Sequence, residues 1–149
     1  MKSGAKEYEE DARRLREFSA FDGLSDDELK HLARAARHTS TSAPWPLMHE
    51  QTPSDACYIL LSGEAAVYLG RDRVAKLEPG EVIGESALLR GKLRTATVTT
   101  TGPAEVLHYN REVLADLLEK IPALRDAIAA TVTRHSLGAA TSDQSQQGD

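Results

Sequence analysis

Residues 84–98 read GESALLRGKLRTATV, and this stretch is more informative about the fold than any other part of the chain. It places Gly84–Glu85 nine positions before Arg94–Thr95 and follows the turn sequence Pro79–Glu81. An isolated glutamate and arginine at this spacing would usually form an exposed ion pair, which contributes little to stability. Here small and apolar residues also recur around the two charges, so the segment is more than an isolated ion pair.

Short strand-like runs separated by turn residues lie on both sides of this segment. The runs are Cys57–Leu61, Glu64–Leu69, Val74–Leu77, Thr95–Thr100 and Ala104–Tyr109. Glycine or proline separates most of them, as in Ser62-Gly63 and Gly102-Pro103. Strands at this regular spacing predict a β-barrel or a β-sandwich.

Helical patterns lie outside the strand region, at both ends of the chain. Residues 1–20 carry a narrow apolar stripe at helical spacing. A second helix is predicted to begin at Ser25, which forms an S-x-x-E capping box with Glu28, and to end near His38. Asn110 is a candidate N-cap for a further helix after the strands. The pattern therefore predicts helices before and after a β domain.

A last helix is expected to start at Pro122, since proline is favoured in the first turn. Leu124, Ile128 and Val132 stack four residues apart along it. From Gly138 the chain has no large apolar residue, so residues 138–149 are expected to be a disordered polar tail. We therefore divide the chain into an N-terminal helix (1–20), one domain (21–137) and that tail.

Composition limits the classes of protein that the chain can be. It has 149 residues, 40% of them hydrophobic and 28% charged, which is typical of one soluble globular domain. The net charge of −5 argues against general binding to nucleic acid or to an anionic membrane. The single cysteine, Cys57, is expected to be a buried apolar residue. No secretory or membrane-spanning segment is recognised, so a cytoplasmic location is expected.

The order of these elements resembles the cyclic nucleotide-binding domain family over roughly residues 18–135. Tyr58–Gly63 is similar to the central hairpin of that family, and Leu77–Glu81 to the turn that follows. Residues 84–98 resemble its phosphate-binding cassette. The resemblance implies a mainly β fold: an eight-stranded jelly-roll β-barrel with N-terminal helices and two C-terminal helices. Sensor domains of this kind occur in cAMP receptor proteins and in protein kinase A regulatory subunits.

The resemblance also implies ligand-binding roles for six residues of the cassette. They are Gly84, Glu85, Ser86, Ala87, Arg94 and Thr95. Arg94 would pair with the charged phosphate oxygen of a cyclic nucleotide, and Glu85 would accept a hydrogen bond from the ribose 2′-hydroxyl. The glycine would allow close approach of the backbone, and the two residues after Glu85 would present amides to the phosphate at the start of a short helix. Thr95 would add a hydroxyl donor.

The role of the last helix is left open by the sequence. Leu124, Ile128 and Val132 are a candidate lid over the base of the nucleotide or a face for a partner. Packing against the barrel as ordinary core is an equally good interpretation of the same residues.

Other features argue against catalysis. The five histidines show no metal-ligand spacing on one predicted element, and no serine has the sequence context of a catalytic nucleophile. We therefore predict no enzyme activity, no catalytic residue, no metal site and no cofactor apart from the ligand. Two departures from the family pattern are notable: Gln51 lies where glycine is common, and Leu93 where proline is frequent.

The expected function is that of a stand-alone cyclic nucleotide sensor, with cAMP favoured over cGMP as its ligand. No DNA-binding helix-turn-helix follows the domain, so the output would pass through an unidentified effector protein or through self-association of the terminal helices. The alternative is a degenerate member of the fold that serves as a scaffold for protein–protein interaction and no longer binds nucleotide. Gln51 and Leu93 are the residues that favour this alternative.

Overall fold

The computed structural model of the protein describes residues 2–49, 56–84 and 96–129. Helix α1 (Lys2–Arg16), a 3₁₀ turn (Ser19–Phe21) and helix α2 (Asp26–Ala35) precede the strands. Eight strands follow: β1 (Arg37–Thr41), β2 (Pro46–Met48), β3 (Ala56–Ser62), β4 (Ala65–Leu69), β5 (Asp72–Leu77), β6 (Val82–Ile83), β7 (Thr97–Thr100) and β8 (Ala104–Asn110). Helix α3 (Arg111–Lys120) comes next, and a further helix, α4, is described over residues 122–129.

The strands form two four-stranded antiparallel sheets. Sheet A has the order β1-β8-β3-β6, and sheet B has the order β2-β7-β4-β5. The mainly β fold with flanking helices is therefore confirmed. Within the described residues, the backbone hydrogen bonds join the strands into two sheets that pack face to face, and not into one closed ring.

Side chains at the helix starts explain where α2 and α3 begin. The Ser25 hydroxyl accepts a hydrogen bond from the Glu28 amide at 3.1 Å, and the Ser25 amide donates to Glu28 Oε1 at 2.8 Å. This is the predicted capping box, which satisfies two amides that have no partner within the helix. The side chain of Asn110 accepts from the Val113 amide at 2.8 Å and so caps α3 as predicted.

Two helix ends differ from the prediction. Helix α1 ends at Arg16 instead of extending to residue 20, because a separate 3₁₀ turn follows. Helix α2 ends at Ala35, so His38 lies in β1 and not at the end of a helix. Strand pairing accounts for the second difference, because each of the five residues of β1 is paired with a residue of β8.

Sheet A separates two hydrophobic cores of unequal size. The helix-side core contains twenty buried residues of the described chain, contributed by the helices and the outer face of sheet A: Ala12, Leu15, Phe21, Leu24, Leu29, Leu32, Ala33, Cys57, Ile59, Leu61, Val82, Leu107, Tyr109, Leu114, Leu117, Leu118, Ile121, Leu124, Ala127 and Ile128. The interior core between the sheets contains seven: Leu60, Ala65, Leu77, Ile83, Val98, Ala104 and Val106. Most of the buried hydrophobic residues in the described chain therefore lie on the helix side.

Strand β3 shows how one strand serves both cores. Cys57 and Ile59 face the helices, whereas Tyr58 and Leu60 face sheet B. This alternation follows from the period of two in side-chain direction along a strand. It also explains why β3 is a nearly continuous apolar run: both of its faces are covered. Cys57 is buried as predicted.

The predicted domain boundaries at residues 20 and 137 remain predictions, and the tail 138–149 lies outside the described residues. Among the residues that are described, none of the helices combines the length and the apolar character needed to span a lipid bilayer.

Candidate functional site

The segment 85–95 connects the two sheets. Strand β6, which ends at Ile83, belongs to sheet A, and β7, which begins at Thr97, belongs to sheet B. Gly84 lies between β6 and this segment and has φ of +88°, a left-handed conformation that favours glycine. Of the six cassette residues predicted from the sequence, Gly84 is the one that the structure describes. Glu85, Ser86, Ala87, Arg94 and Thr95 lie outside the described residues.

A tightly bonded turn fixes the chain before Gly84. The Gly80 amide donates to the Leu60 carbonyl at 2.8 Å, and the Leu60 amide donates to the Glu81 carbonyl at 3.1 Å. The buried Glu81 side chain accepts a hydrogen bond from the Glu78 amide at 3.0 Å. Gly80 has φ of +96°, and a Cβ at this position would lie 2.9 Å from the Phe18 ring. The turn is thus tied to β3 and to the chain that follows α1, which fixes where the cassette begins.

The chain after the cassette is also anchored. Ala96 and Val98 are buried, and β7 pairs with both β2 and β4. The Thr100 hydroxyl accepts a hydrogen bond from the Trp45 amide at 2.8 Å, and the Thr100 amide donates to the Trp45 carbonyl at 2.8 Å. Both ends of the cassette are therefore held by ordered strands.

Two aromatic side chains lie on the interior face of sheet A close to the start of the cassette. Tyr58 pairs with Ile83, the residue before Gly84, and its hydroxyl donates to the Leu47 carbonyl of β2 at 3.0 Å. The Tyr58 and His108 rings meet edge to face with centroids 5.3 Å apart. Both are half-buried, so they line the rim of the interior core. Sequence reasoning missed this pair, because its position depends on the register of β3, β6 and β8.

The candidate lid residues lie on the other side of sheet A. Leu124 and Ile128 are buried in the helix-side core, at 1% and 4% exposure, and border a small apolar gap with Leu32 and Cys57. The sequence left two roles open for these residues, a lid and ordinary core packing, and the structure shows core packing for Leu124 and Ile128. Val132 lies outside the described residues, and the lid role stays a prediction.

Within the described part of the chain, there is no group of three or more His, Cys, Asp or Glu side chains placed to hold a metal ion. The described part of this region offers a glycine directly after β6, the half-buried rings of Tyr58 and His108, and the apolar core between the sheets.

A family comparison adds to this geometry. The model of the cyclic nucleotide-binding domain matches residues 46–121, just over half of the chain. The chain belongs to the cyclic nucleotide-binding domain family. The matched region begins at β2 and ends after α3, so it contains the whole segment 85–95 that links β6 to β7.

The chain is also similar to individual proteins. An uncharacterized NTE family protein of Mycobacterium tuberculosis is 29% identical over 121 residues, which cover 80% of this chain and 21% of that relative. The chain thus spans about a fifth of the length of this relative. A solved structure described as Sp-2Cl-cAMPS bound to PKAR CBD2 has a TM-score of 0.78 at 21% identity and covers 91% of this chain and 90% of its own.

The same fold also occurs in a protein whose description calls its kinase cAMP-independent. The regulatory subunit of a cAMP-independent protein kinase A from Trypanosoma brucei has a TM-score of 0.74 at 21% identity, and the match covers 92% of this chain and 48% of that one. At such identities these two structures support the jelly-roll fold of the family and no particular ligand.

Proposed function

We propose that this cyclic nucleotide-binding domain is a regulatory sensor that binds cAMP in preference to cGMP and passes the signal to a partner protein. The observation that carries the proposal is the family match across residues 46–121, which includes the cassette. The preference for cAMP is the expectation stated from the sequence, and the ligand panel below tests it.

The fixed ends of the cassette support this proposal physically. Strand β6 of sheet A ends at Ile83, directly before Gly84, and β7 of sheet B begins at Thr97, directly after Ala96. Strands that are in place before the ligand arrives need not be ordered at binding, which lowers the entropic cost. We propose that Arg94 binds the phosphate and that Glu85 binds the ribose 2′-hydroxyl. Gly84 and the amides of Ser86 and Ala87 then approach the remaining phosphate oxygens, and Thr95 adds a donor.

The interior face of sheet A is the proposed wall opposite the cassette. Tyr58 is paired with Ile83, which lies two residues before Glu85. The Tyr58 ring is half-buried, whereas the residues of the interior core next to it are buried. A half-buried aromatic ring next to a phosphate-binding segment is suited to contact the apolar faces of a sugar and a base. We therefore propose Tyr58 and His108 as nucleotide contacts.

The burial of Leu124 and Ile128 bears on the lid hypothesis. Each side chain gains about 1.5–3 kcal/mol from burial, so moving both out of the helix-side core would cost about 3–6 kcal/mol. A ligand can displace them only if it favours the displaced state by at least that amount. We propose that these two residues hold α4 in place, and that any part of α4 which covers the nucleotide lies towards Val132. The signal would then reach an effector protein, or a second copy of the chain, through the terminal helices.

A second candidate function is a scaffold that no longer binds nucleotide. The specific observation in its favour is that the same fold occurs in a regulatory subunit described as cAMP-independent. Gln51 and Leu93, which depart from the family pattern, are the sequence features that support it.

Thermal unfolding with a panel of ligands distinguishes the two functions. The full chain is melted without ligand and with saturating cAMP, cGMP or AMP; AMP carries the same base as cAMP but lacks the cyclic phosphate. A ligand at about a hundred times its dissociation constant stabilises by about 2.7 kcal/mol, which is about 5–10 °C in Tm for a domain of this size.

The sensor predicts the largest shift with cAMP, a smaller one with cGMP and none with AMP. A larger shift with cGMP would overturn the base preference and leave the sensor in place. Cooperative melting with no shift for either cyclic nucleotide would overturn the sensor and favour the scaffold.

A further inference from the structure

A cluster of charged and polar side chains joins α1 to sheet A. The imidazole of His38, on β1, lies between two carboxylates. Its Nδ1 is 2.8 Å from Oδ2 of Asp11 on α1, and its Nε2 is 3.0 Å from Oε1 of Glu105 on β8. The Asp11 side chain is only 5% exposed, so its charge needs a partner in the protein. We call these residues, with Arg14 and Ser62, the His38 cluster.

Glu105 is the centre of this cluster. It receives a bidentate pair from Arg14, with Nη1 and Nη2 at 3.0 and 3.1 Å from its two oxygens. The Ser62 hydroxyl donates to Oε2 at 3.0 Å. Arg14 Nη1 also lies 3.8 Å from Asp11 Oδ1. The cluster therefore connects one helix with three strands of sheet A through contacts between residues that are far apart in sequence.

The geometry favours the protonated form of His38. A neutral imidazole carries one N–H and one nitrogen that can only accept, whereas an ionised carboxylate can only accept. A neutral ring would therefore direct a lone pair at one of the two carboxylates from about 3 Å. The imidazolium has an N–H on each nitrogen and donates to both. Its charge, with that of Arg14, also balances the charges of Asp11 and Glu105.

We propose that His38 is a protonation switch for the docking of α1: the charged ring holds α1 against sheet A, and loss of its proton weakens that contact. The proposal does not rest on nucleotide binding, because it is argued from contacts on the helix side of sheet A.

The charged groups around His38 set the direction of the pH dependence. Burial of the ring lowers the pKa of His38, but the hydrogen bond and charge of Asp11, followed by those of Glu105, outweigh this and raise it above 6.5. The pKa of Glu105 is held at about 2, first by the hydrogen bond from Arg14 and then by those from Ser62 and His38, against the effect of burial. Glu105 is therefore ionised throughout the range in which His38 titrates.

The other groups that face this region do not change the sign. Glu10 on α1 adds negative charge near Arg14, and the guanidinium of Arg34 on α2 lies over the Tyr8 ring, 5.9 Å from its centroid. Burial raises the pKa of Tyr109 far above its ordinary value, so this residue stays neutral. Because the folded-state pKa of His38 is raised, its stabilising effect is complete below about pH 6.5 and is lost as the pH rises through the folded-state value.

Nitrogen NMR of the full chain, labelled at histidine, tests the protonation state directly. We expect both ring nitrogens of His38 to show the imidazolium signature at a pH at which histidine in the denatured chain has already lost its proton. Each pKa unit of difference corresponds to a tenfold weaker docking of α1 once the proton is lost. A folded-state pKa of His38 at or below that of histidine in the denatured chain would overturn the proposal.

Hydrogen exchange tests the consequence for α1. Protection of the α1 amides, corrected for intrinsic exchange rates, is followed from pH 6 to pH 9 in the wild type, His38→Gln and His31→Gln. Wild type and the His31→Gln control should lose α1 protection relative to β8 as the pH rises, and His38→Gln should show low protection that does not depend on pH. Wild-type protection of α1 that is unchanged across this range would contradict the proposal, even if His38→Gln failed to fold.

Discussion

The two faces of sheet A contrast in packing and in the role that we assign to them. The helix side is covered by α1–α4 and contains twenty of the buried core residues in the described chain, together with the His38 cluster. The interior face shares a core of seven residues with sheet B and ends in a half-buried rim at Tyr58 and His108. We expect the helix-side face to supply most of the stability, and we assign the interior face, which ends in the half-buried rim, to contact with a ligand.

Leucines on the central strands offer the most direct test of this comparison. Leu107 on β8 faces the helix side and Leu60 on β3 faces the interior, and both are fully buried. Replacing a buried leucine by alanine costs about 2–5 kcal/mol, depending on how well the surroundings can collapse. We expect Leu107→Ala to lie near the upper end, because four helices and the sheet hold its surroundings in place. Leu60→Ala should lie near the lower end, because the rim above it can adjust.

Denaturant unfolding of both variants and the wild type gives these losses of free energy. A greater loss for Leu60→Ala than for Leu107→Ala would break the proposed division between a stabilising face and a binding face.

Tyrosine hydroxyls make a matched pair with a smaller expected effect. Tyr109 donates to the Leu32 carbonyl at 2.7 Å in a buried site, and Tyr58 donates to the Leu47 carbonyl at 3.0 Å in a partly buried one. At the end of α2, the Ala36 amide donates to the Ala33 carbonyl instead of to the Leu32 carbonyl four residues before it. The Tyr109 hydroxyl is the donor that reaches the Leu32 carbonyl there.

Tyr109→Phe should therefore cost about 1–3 kcal/mol, the penalty for an unsatisfied buried carbonyl, and Tyr58→Phe about 0.5–1.5 kcal/mol. Unfolding midpoints of the two variants measure the difference. Equal losses would show that the two carbonyls are equally accessible to water, which would contradict the deeper burial of the Tyr109 hydrogen bond.

Local signals predicted much of this fold. The capping box of Ser25 and Glu28, the N-cap at Asn110 and the burial of Cys57 are all encoded within a few residues, and the structure confirms them. Strands with both faces covered, such as β3, also stand out as apolar runs. Such features can be predicted because their physical cause lies within the segment itself.

Features that depend on distant partners could not be predicted. Strand β1 is mostly exposed and polar, and β6 has only two residues, so neither shows a strand pattern before β8 and β3 are paired with them. His38 meets Asp11 and Glu105 across 27 and 67 residues of sequence. For the candidate site, resemblance supplied the cassette residues, while the rim at Tyr58 required the register of the strands.

The central claim is that the cassette of this domain binds a cyclic nucleotide through Arg94. Calorimetric titration of cAMP into the wild type, Arg94→Ala and Arg90→Ala tests it most directly, since Arg90 lies in the same segment and has no proposed contact. Wild type and Arg90→Ala should bind with similar affinity. Arg94→Ala should lose about 2–5 kcal/mol, at least thirtyfold in Kd, because the phosphate would be bound without its counter-charge. Equal affinity of Arg94→Ala and the wild type, or no binding of cAMP by the folded wild type, would contradict the claim.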